Sequence, residues 1–268
     1  MPQRKEALGV KKFKWACYLL AFAVSPLAAT PEAFPQKPLW QKVDEGLEVL
    51  SMRLEGPNYE TLIQLRALRI DLENFQVRIL DSRSFGVKKM AIRSLVKKTE
   101  ALAGVNGGFF LDNARPLGLL IVDGRETNPL RKADWGIFLI QNHLPRIIHT
   151  KEFQSDPTIS QALQVGPRLV VNGREFSMKR QVARRSAVGI TFKDQVILLN
   201  TEDTEAYAQD LARIFRLPES AGGLECRDAL TLDGGPSAQM YVEYKSLVID
   251  LPGGSEIPNG IGVFKKKP

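Results

Sequence analysis

The 268 residues carry 37 Lys and Arg against 30 Asp and Glu, a formal net charge of +7, with 44% hydrophobic residues and two cysteines. No stretch combines clustered Lys and Arg with interleaved aromatics, so the charge gives no grounds for a nucleic-acid partner. The longest leading apolar run, Trp15 to Val24, falls well short of the about 20 residues that cross a bilayer.

That run follows a basic opening (Arg4, Lys5, Lys11, Lys12, Lys14) and precedes the small residues of "SPLAAT". Residues 1–29 read as a secretory signal peptide cleaved near Ala29, which places the mature protein in the periplasm or outside the cell, with no stable membrane span. Cys17 lacks a leucine-rich lipobox before it. Without the leader the formal charge falls to about +3, so the sequence pI of 9.4 mostly reports the signal peptide. Cys226 alone remains, excluding an intramolecular disulfide, and the remaining length suffices for a core without staples.

Residues 30–41 ("TPEAFPQKPLWQ") are proline-rich, lack periodicity and read as a linker. Residues 42–268 are expected to form one domain, with N-terminal strands over 42–90 and the motif-bearing part over 91–264. "GLEVLSMRL", "IQLRALRIDL" and "FQVRILDS" alternate apolar and polar residues as half-buried strands do. "MAIRSLVKKTEALAG" places Ile92, Leu95, Val96 and Leu102 at helical spacing, which predicts a helix there. "TEAYAQDLARIF" predicts a second helix, with Thr204 as N-cap and Tyr207, Leu211, Ile214 and Phe215 on one face. Short strands fill the rest: "GLLIVDG", "WGIFLIQ", "PRIIHT", "RLVVNG", "SAVGITF", "VILLNT", "DALTL", "QMYVEY" and "IGVF". "VDGR" at 122–125 and "VNGR" at 171–174 suit type I′ hairpin turns. The fold class is α+β: a β-rich single domain of mixed or antiparallel sheet with about two main helices.

Two stretches share one grammar, a strand followed by a polar residue and two glycines: "GVNGGFF" with Asn106, Gly107 and Gly108, and "ALTLDGGPS" with Asp233, Gly234, Gly235 and Ser237. Paired glycines allow positive φ, and successive backbone N–H groups can cradle an anion. "GPRLVVNG" offers Arg168, and "ARRSAVGI" offers Arg184 and Arg185; a guanidinium grips a phosphate or carboxylate through two parallel bonds. Neighbouring strand residues face opposite ways, so at most one of Arg184 and Arg185 faces a common site.

Together with the closing "IPNGIGVF", these stretches in this order resemble the phosphodiester glycosidase family from about Ile92 to Phe264. The resemblance implies an α+β domain that cleaves the bond between an anomeric carbon and a phosphodiester oxygen, without metal or cofactor. It implies Asp233, Asn106 and Arg185 as catalytic residues. Gly107, Gly108, Arg168, Gly234, Gly235 and Ser237 are expected to bind a carbohydrate or sugar-phosphate substrate. Pro236 stands where the animal form has a third glycine, which removes one N–H donor. A departing phosphate monoester, with a second pKa of about 6, is stable as an anion, so one carboxylate can suffice where glycosidases ordinarily need two. Asp233 would be the nucleophile or stabilise an oxocarbenium-like centre, and Asp112 and Glu225 are the nearest further acids in sequence. Two other readings stand beside this one: a non-catalytic envelope module that binds an anionic glycan, and an exopolysaccharide glycosidase or lyase acting without phosphate. The residues leave oligomeric state open.

The spacing of His143 and His149, six apart, does not suit metal ligation on a helical face, and both read as ordinary strand or loop histidines. Cys226 reads as a buried small hydrophobe, and Trp40 and Trp135 as packing residues.

Overall fold

The structure, a computed structural model, describes residues 37–56 and 59–267; the expected signal peptide and residues 30–36 of the linker lie outside the described residues. In chain order the first strands are β1 (Gln41–Asp44), β2 (Leu47–Leu54), β3 (Ile63–Ile70) and β4 (Phe75–Asp81), followed by helix α1 (Ile92–Thr99). Then come β5 (Ala103–Asn106), β6 (Leu120–Val122), β7 (Arg125–Asn128), β8 (Gly136–Gln141), β9 (Leu144–His149), β10 (Ile159–Val165), β11 (Arg168–Val171) and β12 (Arg174–Glu175). The last part holds β13 (Val182–Ala183), β14 (Ser186–Thr191), β15 (Val196–Thr201), β16 (Ala206–Tyr207), α2 (Ala208–Arg216), β17 (Cys226–Thr231), β18 (Met240–Tyr244), β19 (Leu247–Leu251) and β20 (Asn259–Lys265).

These strands make an eight-stranded sheet (β1-β2-β3-β15-β14-β17-β11-β12), two five-stranded sheets (β7-β6-β10-β8-β9 and β19-β18-β5-β20-β4) and the ribbon β13-β16. Every strand pairing among the described residues is antiparallel. The protein is thus a β-rich α+β domain, without the parallel pairs a mixed sheet would contain.

Period-two patterning explains the layers. On β3, Leu68 and Ile70 join the central core while Ile63, Leu65 and Ala67 point the other way, into a second core with Leu211, Ile214 and Phe215 of α2. On β15, Val196 and Leu198 face the first core and Ile197 and Leu199 the second, so "VILLNT" is buried throughout. A sheet covered on both faces reads as a continuous apolar run for this reason. The central core is closed by Ala103 and Val105 of β5, Phe138 and Ile140 of β8, and Ile261 and Val263 of β20.

Both helices are shorter than their sequence patterns. α1 stops at Thr99, where Glu100 takes a left-handed cap at φ 60°, and the expected helix over "ALAG" is instead the entry to β5. Ala103 is taken into the central core as a strand residue, and Leu102 packs against that core rather than continuing the helical face. Thr204 does not cap α2: its hydroxyl accepts from the Gln64 amide at 2.9 Å and donates to the Gln64 carbonyl at 3.1 Å. Ala206 and Tyr207 pair with β13, so α2 begins only at Ala208. Both hairpin turns form, with positive φ at Asp123 and Gly124 and at Asn172 and Gly173.

Gly189 marks the closest packing between α2 and the large sheet. A Cβ there would lie 2.7 Å from the Phe215 ring and 2.8 Å from Cys226 Sγ, and both side chains are fully buried. Gly189→Ala is expected to destabilise by about 1–3 kcal/mol, the usual range for overpacking a filled core. Urea unfolding checks it, and an unchanged midpoint would show that Phe215 can move aside.

Candidate active site

Asp233 lies just past the end of β17, held by backbone on both sides. Leu232 donates its N–H to the Ser186 carbonyl and Asp233 to the Gly107 carbonyl, each at 2.9 Å. The Asp233 carbonyl accepts from Asn106 Nδ2 at 2.7 Å. The side chain is half-buried. Desolvation pushes its carboxyl above the ordinary aspartate range, opposed by hydrogen bonds from the Ser237 hydroxyl and the Gly234 amide.

Asn106 fixes this strand end from below. It is fully buried, and its Oδ1 accepts from Ser186 Oγ at 2.6 Å and from the Gln239 amide at 3.1 Å. Asn106 therefore positions Asp233 through the main chain and does not itself face solvent. The Asn200 amide lies 2.8 Å from Ser186 Oγ, and Gln239 extends the network in the other direction. Gln239 Oε1 accepts from the Ile92 amide at 2.6 Å, and its Nε2 donates to the Ser237 and Ser255 carbonyls. Ser186, Asn200 and Gln239 were not singled out in the sequence; the signal available was their polarity within runs that are otherwise buried and apolar.

The glycines serve a different purpose from the one their pattern predicts. Gly107 N–H donates to the Asn259 carbonyl at 2.9 Å and Gly108 N–H to Asn259 Oδ1 at 2.8 Å. Gly235 N–H donates to the Arg184 carbonyl at 2.9 Å, and Gly234 N–H is bound to the Asp233 carboxylate. All four amides have protein acceptors, so the expected anion cradle is not formed by them, and the missing N–H of Pro236 takes nothing from it. Close approach is what these positions require: a Cβ on Gly107 would lie 2.0 Å from Asn259 Oδ1, and one on Gly234 2.9 Å from the Arg184 carbonyl. Of the four, only Gly235 has positive φ, at 58°. Asn259, 1% exposed, leaves its Nδ2 without a partner among the described residues, beside this junction.

Arg184 and Arg185, in the short link between β13 and β14, turn to different partners. Arg185 Nε donates to the Ala206 carbonyl at 3.1 Å, and one terminal nitrogen donates to the Gln181 carbonyl. The other terminal nitrogen lies 3.8 Å from where a Gly234 side chain would begin. No carboxylate among the described residues forms an ion pair with Arg185. Desolvation lowers its pKa and the more distant Glu205 opposes this. Arg184 turns to the Pro252 carbonyl at 2.9 Å and to Asp203 at 3.3 Å. Ser237 is buried in the turn after Gly234, where it reaches Asp233. Arg168, paired with Leu230 on the other flank of β17, lays its guanidinium over the Phe176 ring at 5.4 Å and makes no hydrogen bond or ion pair with Asp233.

Glu225 precedes β17 and Asp233 follows it, so the strand separates them by roughly 25 Å at about 3.3 Å per residue, and Glu225 has no part in this site. Asp112 is exposed in the turn after the first glycine motif. Trp135 packs edge-to-face on Phe109, centroids 5.1 Å apart. His149 Nε2 meets Asp134 Oδ1 at 2.7 Å while Nδ1 accepts from the Lys151 amide at 3.1 Å. Trp40 packs under the Arg69 guanidinium at 4.4 Å. Cys226 is fully buried and burial pushes its thiol far up, which leaves it inert. Among the described residues no group of three or more His, Cys, Asp or Glu side chains is placed to hold a metal.

Solved structures share this β-rich α+β architecture. The catalytic domain of zebrafish N-acetylglucosamine-1-phosphodiester alpha-N-acetylglucosaminidase, auto-inhibited by its pro-peptide, superposes with a TM-score of 0.66 at 15% identity, covering 86% of each chain. A hypothetical protein from Synechocystis gives 0.62 at 13% identity; 85% of the present chain is covered, and it spans 64% of that protein's chain. A Burkholderia pseudomallei protein described as exported gives 0.52 at 12% identity, over 76% of this chain and 74% of that one. No curated protein matches by sequence. Residues 99–264 match the phosphodiester glycosidase family, and the chain belongs to that family.

Asn106→Ala would strip partners from Ser186 Oγ, the Gln239 amide and the Asp233 carbonyl in a buried setting. The expected loss of stability is about 1–3 kcal/mol, read from urea unfolding. A wild-type midpoint would mean that water or Asn200 replaces the lost bonds.

Proposed function

We propose that the protein is an exported hydrolase that cleaves a glycosyl-phosphodiester or a related carbohydrate linkage. The observation that carries this reading is the half-buried, desolvated Asp233 carboxylate at a strand end whose next residue, Gly234, has no side chain to keep Arg185 away; Arg185 forms no ion pair among the described residues. In such a reaction the bond between the anomeric carbon and the phosphodiester oxygen breaks, its electron pair leaves with the phosphate, the oxygen of water bonds to the anomeric carbon, and the proton that water loses passes to solvent. The leaving phosphate monoester needs no proton near neutral pH. Arg185 supplies countercharge to that group, and Asp233 supplies negative charge to the carbon it leaves. Ser237 and Gly234 orient the carboxylate. Family membership supports the reaction class, and the basic, apolar leader pattern supports export.

A second reading draws on the committed glycine amides. With no backbone cradle left open, a phosphate would rest on Arg185 with less help than expected, which favours a glycosidase or lyase for a phosphate-free polysaccharide. Release of sugar from a phosphate-free polymer, with none from sugar-1-phosphodiesters, would decide for it. A non-catalytic module would instead bind anionic glycan without product, with binding largely lost in Arg185→Ala.

Asp233→Asn is expected to abolish hydrolysis of the responsive sugar-1-phosphodiester while leaving circular dichroism and melting temperature close to wild type. Full turnover in that variant would sink the assignment. The ionised carboxylate is the working form, so kcat/KM should fall as pH drops through the raised Asp233 pKa, an acid limb above the ordinary aspartate value. Ser237→Ala removes a bond that favours the charged form, and should move that limb to higher pH. A limb that stays in place would separate Ser237 from Asp233 ionisation.

A further inference from the structure

A cavity of about 260 Å³ opens at the opposite end of the strands that carry the candidate active site. Its wall includes Ser160 and Gln161 at the start of β10, whereas Val165, at the other end of that strand, packs near Gly108. At about 3.3 Å per residue the two places are roughly 15 Å apart. The same holds for β20: Asn259 at its start bonds Gly107 and Gly108, and Lys266, just past its end, lines the cavity.

Three polar side chains in this wall, Gln76, His143 and Lys266, make no hydrogen bond or ion pair among the described residues. Strand alternation separates Lys266 from Lys265, which turns away to Asp44 at 2.8 Å. The charged pair in the wall is internally balanced: Arg78 donates to both oxygens of Asp123 at 3.1 and 2.6 Å, and Gln161 Nε2 adds a bond at 2.8 Å. The net unpaired charge is therefore the ammonium of Lys266, with the His143 imidazole as a further donor. Leu72, Val77 and Ile140 give an apolar surface opposite these groups.

The β8–β9 turn brings His143 to this wall. The β6–β7 and β11–β12 turns place Gly124 and Gly173 at the second positive-φ position, as type I′ turns prefer. In the β8–β9 turn that position is His143, at φ 65°, after Asn142 at φ 50°. Histidine, which adopts this conformation more readily than most residues, stands there in place of the glycine of the other two turns, and His143 lines the cavity.

We propose that this cavity is a second ligand site, for a single-ring sugar acid. Its carboxylate pairs with Lys266 and His143, its less polar ring face lies on Leu72, Val77 and Ile140, and its hydroxyls meet Gln76, Ser160 and the Arg78–Asp123 pair. The volume admits one ring. The site does not depend on catalysis at Asp233.

Titration of the 15N-labelled protein with sodium glucuronate, glucose and sodium acetate, followed by amide NMR shifts, tests it. Glucuronate should saturate in the millimolar range and move the amides of Gln76, His143 and Lys266, while glucose and acetate bind more weakly or not at all. Lys266→Ala and His143→Gly should each weaken glucuronate by about ten-fold, as loss of a charge-assisted bond does, and Asp233→Asn should leave it unchanged. His143→Gly should at the same time keep or raise the melting temperature, which separates ligand binding from folding. Absence of saturable shifts at these amides, equal binding of glucose or acetate, or unchanged affinity in both variants would overturn the proposal.

Discussion

The hydrogen bond from Asn106 Nδ2 to the Asp233 carbonyl ties the large sheet to the sheet containing β5. Around it, β5, β14, β17 and β18 bring their ends to one buried point. The dielectric there is low, so each satisfied bond is strong and each lost bond costly. Asp233 gains its position from that junction: its main chain is pinned from two sides and its carboxylate is left half-buried and turned toward Ser237.

The glycine motifs follow from the same constraint. Neighbouring strand ends can approach this closely only where no side chain intervenes, and Asn259 of the adjacent β20 occupies the volume that a Gly107 side chain would need. Phosphate-binding loops use glycine to open their amides to a ligand. Here glycine lets one strand end pack against another.

Period-two patterning made the strands legible: "VILLNT" and "SAVGITF" appear almost as read, because a sheet buried on both faces leaves no polar interruptions. The turns at Asp123–Gly124 and Asn172–Gly173 were legible for local steric reasons. What could not be read was decided by partners remote in sequence. Leu102 has helical spacing from Ile92 and Leu95, yet the neighbouring Ala103 is drawn into strand by β18 and β20. Thr204 has the chemistry of a helix cap but meets Gln64 from β3. The motif residues around Asp233 were found, but the commitment of their amides to Asn259 and Arg184 depends on contacts that a linear motif does not encode. Arg168, on β11 beside β17, lays its guanidinium over Phe176, a contact that the motif does not encode.

The pairing of Asn106 with Asp233 joins residues 127 positions apart, and Asn259 of the final strand secures the first glycine pair. Such contacts close late, because the intervening chain must lose its freedom first. A nascent chain that stops before Asn259 therefore lacks an anchor for Gly107 and Gly108, and with it one wall of the junction that sets Asp233. The junction that sets Asp233 therefore requires residues from β5 through β20, and a fragment lacking either end is without it.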